Sequence, residues 1–413
     1  MIPAVVRVAA YRRFIASAMA TNAGLWLFET ALFWLVLKQT GSSTAVGLIL
    51  TALVLPIVVF AVPGGMLTDR FGPHRLMMIS CIGWTLLVTV MAVVSAAGPV
   101  TFPVALAAAL LVGCFDSVWT IPGQVLVGRV VEPRHMANAI ALSPLQFGIG
   151  RIVGGLSGGA LVTVVGPTDT FLVASVMLLG GVFAMAGVRE AQPRAVMPNL
   201  SVRAGEAVSW MLRKPAAIAL VVLGACTALF GYSYLAVLPA VSRDLIHAGP
   251  NGLGMMTAAG GVGVILVALA GNSAGLRIGR SRMVAGSLLV ASGGLLLLAF
   301  SSSVAISVGL VSIIASMLIL YTTTNSLVLQ ALTPRGLRGR VLAIWGVAYY
   351  ASLPFGSVVA GNVADRFGTR AVLICLATLT AASTAAVVAG YRPMLRPDVV
   401  PIGAQAAEAA VGD

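Results

Sequence analysis

Three ionisable side chains interrupt long apolar stretches of this 413-residue sequence: Glu29, Asp116 and Arg151. A charge at the centre of an apolar helix costs about 2.5–3.5 kcal/mol on insertion scales, so each must face protein or water. Carboxylates whose hydration changes can take up and release protons, and so can couple proton movement to another event. Helical rise puts Glu29 roughly 20 Å along its stretch from the N-terminal side, Asp116 roughly 20 Å from the opposite side, and Arg151 near the middle. Two separately wetted carboxylates are therefore expected, with a cation between them in height. The alternative is a structural pair between Arg151 and one of them. Elsewhere, Tyr232 and Tyr234, and the run Tyr321-Thr322-Thr323-Thr324-Asn325, offer π faces and hydroxyls to an amphiphilic organic solute. Threonines that bond their own helix backbone and tyrosines at a bilayer interface are the competing reading. Trp26, Trp34, Trp119 and Trp345 are expected to pack.

Other chemistry finds little support. Cys81, Cys114, Cys226 and Cys375 all lie in apolar runs without metal-site spacing, and read as small core residues. His74, His135 and His247 fall in expected loops, so neither a metal centre nor a nucleophile–base cluster is indicated. No GxxxxGK[ST] loop is present, which argues against ATP drive by this chain. No cofactor is expected.

The elements that must position these groups are membrane helices. The chain is 59% hydrophobic and 9% charged, with a mean hydropathy of +1.03, whereas soluble domains carry about 25% charged residues. Twelve spans emerge, at about 14–37, 43–67, 76–97, 102–123, 138–165, 170–188, 216–240, 252–275, 283–301, 304–326, 341–364 and 371–391. The N-terminal segment lacks a signal-peptide cleavage pattern, and Arg12-Arg13 precedes a retained first helix. With the N-terminus inside, cytoplasmic segments hold twenty of the 25 basic residues, and outer loops hold only Lys38, Arg243, Arg366 and Arg370. That asymmetry predicts both ends in the cytoplasm and accounts for most of the +13 charge without nucleic acid.

The expected organisation is a six-helix bundle over 1–188, a cytoplasmic connection over 189–215, a second bundle over 216–391, and a tail from 392. Within the connection, Ser201 is placed to cap a short amphipathic helix lying on the membrane surface. The halves repeat faintly. Gly72-x2-Arg75 matches Gly279-x2-Arg282, and Gly159-x6-Gly166 matches Gly361-x6-Gly368. Repeated halves around a central site are a common transporter plan.

Two glycine-bearing strings carry further information. Residues 64–75 read GGMLTDRFGPHR, a tight polar turn between two spans. Asp69 there can meet a helix start, and Arg70 and Arg75 reach the phosphate level. Span five reads FGIGRIVGGLSGGALV; Gly150, Gly154 and Gly158 share one helical face, with Gly155 and Gly159 beside them, a spacing that lets helices touch. The string Asp365-Arg366-Phe367-Gly368 repeats the Asp69–Gly72 tetrapeptide, but topology puts it outside, where a solvated turn is expected.

The spacing Gly65-x3-Asp69-Arg70-x-Gly72-x2-Arg75 resembles the loop-2/3 signature of the major facilitator superfamily. The strings WLVLKQTGSSTAVGL (34–48), HMANAIAL (135–142), YLAVLPAVSRDL (234–245) and LRGRVLAIWGVAYYASLPFGSVVAGNVADRFG (337–368) extend the likeness over nearly the whole chain. They look like the branch containing the enterobactin exporter and related bacterial efflux permeases. The glycine cluster is similar to the superfamily's exporter signature, Gly-x3-Gly-Pro-x2-Gly-Gly, although Gly155 stands where that pattern has proline. The resemblance implies an all-α fold of two pseudo-symmetric six-helix bundles and rocker-switch alternating access. It places Glu29 and Asp116 along the route, with Tyr232, Tyr234, Tyr321, Thr324 and Asn325 on the facing wall. It makes Asp69 the latch that closes the cytoplasmic side, and gives Arg151 a structural role. The expected protein is a monomeric inner-membrane exporter of a small amphiphilic drug, siderophore or metabolite, driven by proton entry. An importer, a non-transporting sensor and a membrane-embedded enzyme are the rivals. The scattered ionisable residues argue against the enzyme.

Overall fold

A computed structural model describes residues 8–60, 63–132, 135–188, 204–278, 280–334 and 336–390, omitting the side chains of 121, 137, 138, 140, 141, 204 and 270–281. Among the described residues there is no strand, and twelve helices are long and apolar enough to cross a membrane. The first half comprises α1 (Ala9–Thr40), α2 (Ser43–Phe60), α3 (Pro63–Phe71), α4 (Pro73–Ala97), α5 (Phe102–Val130), α6 (Met136–Val164) and α7 (Gly166–Ala186). Helix α8 (Ala204–Leu212) precedes the second half, which comprises α9 (Pro215–Cys226), α10 (Tyr234–Ala240), α11 (Gly249–Ile278), α12 (Arg280–Phe300), α13 (Val304–Leu332), α14 (Arg338–Phe367) and α15 (Thr369–Gly390). Short links make successive spans antiparallel, so one face carries Ala9 and Gly390, and the other carries the turn at Gly41.

Most helices run beyond the apolar windows read from sequence, because backbone hydrogen bonding continues past the last greasy side chain. Two spans depart further. The 43–67 window is divided: α2 ends at Phe60 and α3 starts at Pro63. Asp69, Arg70 and Phe71 are helical in α3, so the expected polar turn over 64–75 contracts to Gly72, at φ +83°. The seventh span is one run, Pro215–Leu245, broken by π turns at Thr227–Gly231 and Val241–Leu245. Pro239 lacks an N–H within α10, which already interrupts the ladder there.

Helix α8 falls within the connection where an amphipathic helix is expected, and buries Ala207 and Met211 while leaving Val208 and Leu212 exposed. It packs on α9 and α14, and Glu206 pairs with Arg340 at 3.5 Å. Ser201, Gly279 and the tail from 392 lie outside the described residues.

Two seams join the halves, and both are built on glycine. At the first, α6 meets α11: a Cβ on Gly155 would lie 2.9 Å from Ala258 N, and one on Gly159 2.6 Å from Pro250 O. At the second, α14 meets α2: a Cβ on Gly361 would lie 2.6 Å from Thr44 Cα, and Gly47 faces the Ser357 backbone in the same way. Gly166 and Gly368 then turn each chain into the next helix at φ +84° and +88°. The repeat Gly159-x6-Gly166 and Gly361-x6-Gly368 is thus one structural device used twice: a close seam ending in a left-handed turn.

These seams lie toward the Gly41 face. Thr51 adds a bond from α2 to Pro354 O (3.2 Å), and Arg151 one from α6 to Thr257 O (3.0 Å). Toward the other face α3 packs chiefly on helices of its own half, α2, α4 and α5, and leaves Met66 and Phe71 exposed. The molecule is closed at the Gly41 face.

Candidate functional site

The site forms where α1, α5 and α6 of the first half face the seventh span, α13 and α14 of the second. Glu29 on α1 and Asp116 on α5 are half-buried, and neither carboxylate has an ion-pair partner among the described residues. Asp116 and Arg151 both lie within electrostatic reach of Glu29. Depth along separate helices suggests more isolation than the packing gives.

Arg151 is fixed rather than free. Its guanidinium lies 4.4 Å from the centre of the Trp26 ring, and Nε donates to Thr257 O across the seam. Gly260 makes room for it, since a Cβ there would lie 2.8 Å from Arg151 Nε. The side chain is 6% exposed, and one terminal nitrogen, Nη2, has no partner. Tyr234 and Tyr232 lie within electrostatic reach of this cation. No carboxylate pairs with it among the described residues, so the alternative of a structural ion pair is not formed, and the cation is held by a cation–π contact and a carbonyl bond. Arg151→Lys would remove the planar stack and the Nε bond together, and should cost about 1–3 kcal/mol. Thermal unfolding in detergent would register this as a lower midpoint; an unchanged midpoint would remove Arg151 from the seam's energetics.

The glycine cluster beside Arg151 divides by face. Gly150, Gly154 and Gly158 press on Asn22, Ala23, Trp26, Leu27 and Thr30 of α1, within the first half. Gly155 and Gly159 press on α11, between the halves. Five glycines read as one motif therefore serve two contacts, one static and one that must part if the halves separate.

The opposing wall is aromatic. Tyr232 is half-buried, and its ring lies 5.8 Å from that of Tyr349; Tyr349 in turn lies 5.5 Å from Trp345 and 5.4 Å from Tyr350. Tyr350 is 40% exposed and within electrostatic reach of Asp116 across the halves. By contrast Tyr234 (1% exposed), Tyr321 (0%), Thr324 and Asn325 (0%) are buried in this conformation and do not border open space. Asn325 Nδ2 donates to Leu220 O at 3.3 Å, so that face of α13 is turned onto α9. In a bilayer every face of a span reads apolar, so a polar stripe marks either the passage or an internal contact. Here α14 supplies two residues that sequence reasoning missed, Tyr349 and Tyr350, beside Trp345, which was expected to pack. Their signal was present as an i, i+4 aromatic pair with an adjacent tyrosine.

Gly65, Asp69, Arg70, Gly72 and Arg75 stand apart from this site, at the face bearing Ala9. Asp69 is exposed, and its carboxylate has no partner among the described residues. Arg70 lies 5.4 Å from the Phe71 ring centre. At the other face, Asp365 is exposed but lies in the last helical turn of α14, not in the solvated turn expected. It accepts four hydrogen bonds from the start of α2, the seam partner of its own helix.

Known proteins agree with this architecture. The model of the transmembrane secretion effector family, a group within the major facilitator superfamily, matches residues 3–402. A multidrug efflux pump, Tap, of Mycolicibacterium fortuitum is 25% identical over 374 residues, covering 87% of this chain and 90% of that one. A bacterial homologue of the human lysosomal transporter Spinster, solved inward-facing and unoccupied, superposes with a TM-score of 0.72 at 15% identity, over 95% of this chain and 99% of that one. The nucleoside transporter NupG gives 0.74 at 12% identity over 93% of this chain and 99% of that one. At such identities the solved structures speak for the fold alone. The family match, spanning nearly every residue, is decisive: this chain is a multi-pass membrane transporter, not an enzyme, and belongs to the transmembrane secretion effector family of the major facilitator superfamily.

Proposed function

We propose that this transporter exports a small amphiphilic molecule, such as a drug, siderophore or secondary metabolite, in exchange for protons. The observation that carries the reading is the pair of half-buried carboxylates, Glu29 and Asp116, without ion-pair partners among the described residues, with Asp116 within electrostatic reach of Tyr350 at the edge of the aromatic wall. A mostly apolar pocket with a few placed polar groups suits an amphiphile. The glycine-rich stretch of α6 and the relative named as a multidrug efflux pump favour export over import.

The bacterial relative favours an inner membrane, and the basic-residue asymmetry puts both ends in the cytoplasm, so the closed Gly41 face is the outer one and this conformation is inward-facing. The chain acts as a monomer, with 1–188 and 216–391 moving as two bodies about the 189–215 connection. Asp69 closes the inner face by meeting the start of α14, whose N-cap, Leu337, offers no side-chain cap. Accumulation of a fluorescent amphiphile in everted vesicles tests this. Energised accumulation that a protonophore abolishes is expected. Accumulation in right-side-out vesicles would instead make the chain an importer.

A further inference from the structure

We propose that Asp365 is a latch holding the Gly41 face closed, the counterpart on this face of Asp69 on the other. Ser43 N donates to Asp365 Oδ1 (2.6 Å). Ser42 Oγ (2.6 Å), Thr44 N (2.9 Å) and Thr44 Oγ1 (2.7 Å) all donate to Oδ2. Two of these donors are among the backbone N–H groups that a helix start leaves unpaired, and the carboxylate sits at the positive end of α2. Asp365 belongs to the second half and α2 to the first, so the four bonds cross the seam and must break together when this face opens. Arg243 adds a longer tie, its Nη1 reaching Gly41 O at 3.5 Å.

The fold itself does not require this carboxylate. In the pseudo-equivalent seam, four residues beyond Gly159 stands Thr163, where four residues beyond Gly361 stands Asp365. Thr163 donates to Gly159 O of its own helix (2.8 Å). The α6–α11 seam closes on glycine packing at that position, whereas the α14–α2 seam carries a charge-assisted clasp in addition.

The two identical tetrapeptides share one geometry. Asp69 and Asp365 each occupy the last turn of a helix, three residues before a left-handed glycine. Gly72 has φ 83° and ψ 148°, and Gly368 has φ 88° and ψ 160°. Inverted repeats nested in each six-helix half would place two such turns on opposite faces. In this conformation Asp365 is engaged on the closed face and Asp69 is unengaged on the other, among the described residues. This latch pair rests on the alternating-access reading, but its test reads the equilibrium between states and not transport.

Spin labels on Lys38→Cys and Phe367→Cys, in the full chain without its native cysteines and held in lipid nanodiscs, report separation at the Gly41 face. A cap of this kind, when lost, should raise the open-to-closed ratio about tenfold in Asp365→Ala. Ser42→Ala with Thr44→Val, which removes two donors and leaves the carboxylate, should raise it less. Arg366→Ala, a neighbouring charge change with no bond across the seam among the described residues, should leave it unchanged. Unaltered distances in Asp365→Ala overturn the latch. Should that variant fail to fold, unaltered distances in the double hydroxyl variant overturn it equally. A shift in Arg366→Ala as large as in Asp365→Ala overturns it too, by making the effect one of general charge. A second pair, Met66→Cys with Gly339→Cys, separates the two ideas. If the Gly41 face opens without the other closing, the latch stands and the alternating-access reading fails.

Discussion

Glu29→Gln and Asp116→Asn are each expected to lower proton-driven accumulation in everted vesicles by about tenfold or more, a change of about 1.4 kcal/mol in the coupled step. Each carboxylate is half-buried and lacks an ion-pair partner among the described residues, and Asp116 acts electrostatically on Glu29. A carboxylate kept within the bilayer is costly unless it has work to do there. The amide analogues keep shape and hydrogen bonding and remove only the proton site. Binding of the solute, measured without a gradient, should survive better than coupled transport, because the aromatic wall of Tyr232, Trp345, Tyr349 and Tyr350 is untouched. Unchanged coupling in both variants would remove Glu29 and Asp116 from the proton path.

How much of this was legible in the sequence depends on what each residue must satisfy. The spans were, because apolar length is set by the bilayer and little else. Glu29, Asp116 and Arg151 were, because a charge in such a span stands out. The rotation of each helix was not. Neither hydropathy nor the polar run at 321–325 gives a rotation, and only packing shows that Asn325 turns onto Leu220 O while Tyr350 comes within electrostatic reach of Asp116. Asp365 was visible as a repeated string, yet its partner is 321 to 323 residues away in sequence, and no local rule joins it to Thr44 or Ser42. The division of span two at Phe60 and the π turns of span seven leave even less trace, since hydropathy ignores backbone hydrogen bonding.

The second large effect is expected at the α6–α11 seam. Gly159→Leu or Gly155→Leu should reduce transport by more than about tenfold and bias the chain toward conformations open at the Gly41 face. A Cβ alone would lie 2.6 Å from Pro250 O at position 159, and 2.9 Å from Ala258 N at position 155. Both neighbours are backbone, so they cannot swing aside, and overpacking of this kind costs about 1–3 kcal/mol or more. Gly158→Ala gives a contrast: its Cβ would meet α1 of the same half at 3.1 Å. It should lower thermal stability without shifting the balance between states. Labels across the Gly41 face distinguish the outcomes. A wild-type distance distribution in Gly159→Leu would mean that this seam does not govern closure.

The proposed exchange of protons for solute needs a passage between two rocking halves. Its most direct test uses the unsubstituted chain, purified into proteoliposomes of one orientation, with a fluorescent amphiphile and an internal pH indicator read together and no nucleotide present. An imposed pH gradient should drive the dye against its own gradient, and added dye should move protons the opposite way across the same membrane. Dye movement indifferent to the pH gradient, with no proton displaced in return, would contradict the account.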